Sequence, residues 1–214
     1  MQSTDEKIFD FAYRMALDDA TLQRAYSGHD KKKLRDCAEA SAAVKRYIDG
    51  VMEEAEEPDF AVTAGDVINA FKQFLTADDD AEFTFGNAQK LINMTAKYLF
   101  ITTYGQPQLR KRFVRCHCPL DGIVLAAVVT SAGKIVDEYA GADGRLVRFL
   151  EKCARRRPRK GGWGPKDDFK WSRLELGDER YDLFQGAVRV LAQAQGQCPI
   201  EYDFHAWDAL SHQS

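Results

Sequence analysis

Apolar residues recur every three to four positions along nearly the whole chain, while alternation with a period of two is almost absent. That spacing is the pattern of helices with one buried stripe, and it leaves little material for a sheet. The stretch STDEKIFDFAYRMAL opens with a Ser3-x-x-Glu6 capping box and sets Ile8, Phe11, Ala12 and Met15 on one stripe, predicting a helix over 4–17. Further helices are predicted over 20–26 and over 31–56, the latter ended by Pro58, and over AGDVINAFKQFL with Thr63 as its cap. The same reasoning places helices at 86–103, 107–115, 119–132, 144–156, 179–195 and 200–211. KIVDEY is the one short alternating run, and Asp121-Gly122 and Asp143-Gly144 stand at helix starts rather than between β-rich segments. The expectation is an all-α protein without internal repeats. Residues 153–166, CARRRPRKGGWGPK, hold two prolines and three glycines and read as a basic loop and lobe boundary.

With 214 residues and 45% apolar content, the chain can bury a sizeable core as one large domain or two small lobes. The longest apolar-rich run, from Pro119 to Gly133, is too short and too rich in small residues to span a bilayer. The N-terminus is acidic and polar where a signal peptide is basic and then apolar, so a cytoplasmic protein is expected. The five cysteines are odd in number and scattered, which suits reduced thiols. Cys116-His117-Cys118 lacks the spacing and the second ligand pair of a zinc or iron–sulfur site, and no metal is expected. The net charge of −3 hides an asymmetry: residues 1–82 sum to −9 and the rest to +6. Gripping phosphate takes one basic face rather than a basic average, and the C-terminal two-thirds can supply it.

Two residues stand out chemically. Lys90 lies four positions after Gly86, near the start of its predicted helix. A cation at the positive end of a helix dipole is disfavoured, so an amine held there tends toward the neutral, nucleophilic form. Asp121 follows Pro119, which fits a first helical position, and falls among Leu120, Ile123, Val124, Ala127 and Val128. Taken singly, Asp121 reads as a helix cap and Lys90 as a solvated lysine. Together, an amine can attack a sugar C1′, and a buried carboxylate can stabilise the cationic sugar that develops as a base departs or accept the amine's proton.

Gly86-Asn87-Ala88-Gln89-Lys90 followed by Pro119-Leu120-Asp121-Gly122-Ile123-Val124 resembles the helix-hairpin-helix DNA glycosylases, which join a G-x-x-x-K hairpin to a P-[VIL]-D-x-x-[VL] segment. The 31-residue gap between Lys90 and Asp121 and the Gln89-Lys90 pair are similar to the archaeal 8-oxoguanine glycosylase branch. The resemblance covers about 83–130, and Ala88 stands where the usual hairpin carries its second glycine. It implies a two-lobed, all-α fold in one glycosylase-like domain over 1–214. It also implies Lys90 as Schiff-base nucleophile, Asp121 as the essential carboxylate, and no cofactor. The same branch reads its extruded base with an aspartate and a tryptophan four residues apart near the C-terminus, the spacing of Asp203 and Trp207.

On this reading, DNA contact would come from Gly86 and Gln89 in the hairpin, from Arg110, Lys111, Arg112 and Arg115, and from Arg155, Arg156, Arg157, Arg159 and Lys160, which precede Trp163. The implied partner is double-stranded DNA with a modified or damaged base, such as 8-oxoguanine or a phage-type modified cytosine, met by a monomer without a membrane. Other readings stay open. Phe204, Trp207 and Leu210 can simply anchor the terminal helix. The basic loop can be inert. The chain can be a non-catalytic helical protein whose hairpin grips phosphate, or a helical interaction protein without nucleic acid.

Overall fold

The computed structural model describes residues 3–22, 34–53, 58–72, 83–103, 105–135, 144–154 and 171–211. Every regular element among them is helical. The chain divides into two compact units, Met1–Cys116 with Ser172–Gly177, and His117–Trp171 with Asp178–Ser214. The unit boundaries thus fall beside Cys116 and at the two ends of 172–177, not in the basic stretch, whose residues from 155 to 170 lie outside the described residues.

In the first unit, α1 (Thr4–Leu22) packs along α4 (Phe85–Thr102), while α2 (Ala38–Met52) packs on α3 (Phe60–Lys72) and α3 on α4. Ser3 and Glu6 close the capping box, Glu6 accepting from the Ser3 N–H at 2.7 Å and Ser3 Oγ from the Glu6 N–H at 3.2 Å. The helix runs five residues past the predicted end, because Asp18 to Leu22 contain no glycine or proline to stop it. The residues expected over 20–26 therefore belong to α1 as far as Leu22, and the remainder lies outside the described residues.

The expected helix over 31–56 is interrupted at Cys37, whose ψ of 93° is extended, and its regular part ends at Met52. Leu34, Cys37 and Ala40 are all buried at three-residue spacing, so periodicity could not show the break. Thr63 is not a cap. Asp59 Oδ1 accepts from the N–H groups of Ala61 (2.8 Å) and Val62 (3.2 Å), and the Thr63 hydroxyl donates to the Asp59 carbonyl from inside the helix. Phe60 bridges α2 and α4, edge-on to Tyr47 at 5.3 Å and to Phe85 at 6.1 Å.

Segment 172–177 returns to this unit and is tied to the start of α4. Thr84 Oγ1 donates to the Ser172 carbonyl at 2.7 Å, and the Gly86 N–H donates to the Leu174 carbonyl at 3.2 Å. Leu174 is buried there. After α4, the expected helix over 107–115 is α5 (Pro107–Arg110) followed by a 3-10 turn, Lys111–Arg115, which buries Phe113 edge-on to Phe100 at 5.6 Å.

In the second unit, α6 (Gly122–Ile135) contacts α7 (Gly144–Ala154), α8 (Glu179–Ala194) and α9 (Pro199–Ser211). Phe149 meets Phe184 edge-on at 4.7 Å, and Gly186 leaves room for Leu146 between α7 and α8. Gly196 ends α8 with a φ of +67°. Its N–H donates to Gln193 O and that of Gln197 to Ala192 O, a Schellman stop that turns the chain into α9. Lys134 and Ile135 of the alternating KIVDEY run are the end of α6, and the rest of that run lies outside the described residues. Among the described residues no helix is long and apolar enough to cross a membrane.

Candidate functional site

Helix α4 is buried on every side from Phe85 to Ala96. A helix in that position is usually apolar all round. This one carries Asn87, Gln89, Lys90, Asn93 and Thr95, each at most 2% exposed. Buried polar groups are normally hydrogen-bonded: Asn93 Nδ2 donates to Gln89 Oε1 at 3.2 Å and Thr95 Oγ1 to the Leu91 carbonyl at 2.8 Å. Thr84 caps the helix by accepting from the Asn87 N–H at 3.2 Å. Lys90 therefore lies in the second turn, inside the first unit, rather than on a solvated face.

The expected phosphate grip at the glycine has a different geometry. Gly86 and Gln89 are both buried, and the Gly86 N–H is already engaged by Leu174. Gly86 is the second residue of α4, so in this conformation neither residue presents a surface to a phosphate. Lys111 and Arg112 are exposed on the 3-10 turn, whereas Arg110 lies over the Phe100 ring, 4.6 Å from its centroid, and is half-buried with Arg115. Arg155, Arg156, Arg157, Arg159 and Lys160 lie outside the described residues.

Asp121 belongs to the second unit and is the N-cap of α6, one residue outside the helix. The expected start at Pro119 is corrected accordingly. Asp121 Oδ1 accepts from the N–H groups of Ile123 (2.9 Å) and Val124 (3.0 Å), so the carboxylate, not the proline, opens the helix. The residue is 3% exposed.

Side chains that sequence patterns did not single out fix the approach to it. Gln185 of α8 clamps the backbone of Cys118, accepting from its N–H at 3.0 Å and donating to its carbonyl at 2.8 Å. Tyr181, one turn earlier, shares a 2.8 Å hydrogen bond with His117 Nδ1. Cys116 and Cys118 are buried free thiols, and among the described residues no three His, Cys, Asp or Glu side chains gather as a metal site would require. A glutamine on the buried face of an amphipathic helix, among Tyr181, Phe184 and Val188, was the one available signal for the clamp.

Burial, followed by the nearby Arg189 charge, pushes the His117 imidazole down to about 3. Its folded pKa is below the unfolded value near 6.5, so the neutral ring contributes stability above that pH and loses it as pH falls toward about 3. His117→Asn is expected to flatten the decline of the melting temperature between pH 6.5 and 4, removing at most about 1.4 kcal/mol per pH unit of slope. Thermal scans across that range, wild type beside variant, check it.

Asp203 sits in α9 and is 1% exposed, but Trp207, four residues on, is 43% exposed. The anchoring stripe of α9 is Ile200, Tyr202, Asp203 and Ala206, all buried, and Phe204 is 37% exposed. Phe204 and Trp207 are thus not the apolar anchors that their spacing allowed. One regularity unites the charged residues. Among the described residues, the buried Lys, Arg, Asp and Glu side chains are Lys90, Asp121 and Asp203. Lys90 and Asp121 are the residues that chemistry had singled out as nucleophile and carboxylate, and Asp203 is the base reader that the family resemblance implied. Lys90 lies in the first unit and the two aspartates in the second. The chain has no significant match among protein-family models, curated proteins or solved structures.

Proposed function

We propose that the protein is a DNA glycosylase that extrudes and excises a modified or damaged base, with Lys90 as the amine and Asp121 as the carboxylate of the reaction. The observation that supports this most is the burial of Lys90, Asp121 and Asp203 when other charged side chains of the described residues keep contact with water. Burying a charge is unfavourable, and a fold concentrates such groups where chemistry uses them. Asp203 and Trp207 suit a flipped base: a polar group for its Watson–Crick edge and a flat indole, already exposed, for its face. Oxidised guanine and a bulky modified cytosine are the candidate bases.

An amine 2% exposed cannot meet a sugar in the conformation described, nor can Asp121 at 3% or Asp203 at 1% meet sugar or base, so the reading requires DNA binding to uncover all three. That same burial favours a second reading, a non-catalytic helical DNA-binding protein in which Lys90 is structural. A panel of duplexes, each with one modified base, assayed for base release and strand nicking separates the two. Release from one member of the panel is the expected result; binding without release from any of them supports the second reading.

A further inference from the structure

We propose that the outward face of α7 is a phosphate-binding surface, with Arg145, Arg148 and Lys152 set against the backbone of duplex DNA. The inference rests on the reading that the chain binds DNA, and it adds contacts beyond the basic runs recognised in the sequence. At 100° per residue these three side chains fall within about 60° of one another, at positions i, i+3 and i+7 of the helix. All three are exposed. Their direction is fixed by the packed side of the helix: Leu150 and Cys153 are buried, Phe149 meets Phe184, and Leu146 fits over Gly186. The helix cannot turn this face inward without exposing that apolar set.

Spacing fits the ligand. Seven residues of helix rise about 10 Å, and one strand of a duplex presents a phosphate roughly every 3.4 Å of axis, so three cations meet about three phosphates. Three surface cations of the first unit are matched by carboxylates and serve as a contrast to this face: Arg35 by Asp18, Lys45 by Asp49 at 2.6 Å, and Arg46 by Asp66 at 3.5 Å. Among the described residues Arg148 and Lys152 make no ion pair, and Glu151, on the flank of the stripe, is half-buried. On a chain of net charge −3, binding to a polyanion needs such a local excess of positive charge.

Lipid surface is the other common polyanion. An interfacial helix would add exposed apolar residues beside its cations, and on α7 Leu146, Val147 and Phe149 are half-buried against the unit instead. The geometry therefore favours nucleic acid.

The test is fluorescence anisotropy with a labelled 20-base-pair unmodified duplex between 50 and 200 mM salt. It uses the full chain, the triple variant Arg145→Gln, Arg148→Gln, Lys152→Gln, and a charge-matched control, Arg35→Gln, Lys45→Gln, Arg46→Gln. The α7 variant is expected to lower the slope of log K against log salt by about two to three units, near 0.9 per lost contact, and the control to leave it unchanged. Should the triple variant fail to fold, Arg148→Gln and Lys152→Gln singly should each remove close to one unit. An unchanged slope in the α7 variant, or an equal loss in the control, overturns the inference while leaving DNA binding in place. Absence of salt-dependent duplex binding by the wild type overturns both the inference and the reading beneath it. So does binding that appears only with vesicles containing phosphatidylserine.

Discussion

Asp121→Asn is expected to bind duplex DNA as tightly as the wild type, or more tightly, and to release base about a thousandfold more slowly, a loss of roughly 4 kcal/mol of transition-state stabilisation. The structure makes this substitution a clean one. Asp121 holds the start of α6 through Oδ1, which accepts from two backbone N–H groups. Asparagine offers a carbonyl oxygen in the same place and caps about as well, so the fold should keep its stability. Only the negative charge is withdrawn, and with it the stabilisation that the proposed reaction would draw from it. Asp121→Ala removes charge and cap together and should cost about 1 kcal/mol more in stability, lowering the melting temperature by about 2–4 °C in a chain of this length. Near-wild-type turnover in the asparagine variant, with a destabilised alanine variant, would make Asp121 a cap and nothing else. Single-turnover base release beside thermal melts decides between these outcomes.

How far the sequence foretold this arrangement depends on what each residue had to signal. The helices were legible because 3.6-residue periodicity survives wherever a helix keeps one dry stripe. Helix α7 and helix α8 were placed to within two residues on that basis. Their ends were less legible where a side chain rather than a breaker decides: Asp59 and Asp121 open helices that had been assigned to Thr63 and Pro119. Depth was legible only through chemistry. Lys90 and Lys97 lie on the same helix and look alike as letters, yet Lys90 is buried and Lys97 half-exposed. Segment 172–177 returns to the start of α4, a contact eighty-odd residues away in sequence that no local pattern encodes. The same non-locality hid Gln185, whose task is defined by the Cys118 backbone it clamps.

Lys90→Gln is expected to abolish covalent trapping of the protein on DNA by borohydride, since only an amine forms the imine that borohydride reduces, and to remove most base release. Glutamine is shorter than lysine, and at a fully buried position the lost volume can itself destabilise the unit by a few kcal/mol. Lys90→Met supplies the control. Methionine nearly matches lysine in length and fills the same space with an apolar chain, so it removes charge and amine without leaving a cavity. A methionine variant that melts like the wild type but neither traps nor releases base assigns the loss to the amine. If the wild type releases base and never traps, water is the nucleophile and the enzyme is monofunctional. If the methionine variant releases base normally, Lys90 is a structural lysine, and the burial that distinguishes it from Lys97 of the same helix belongs to packing alone.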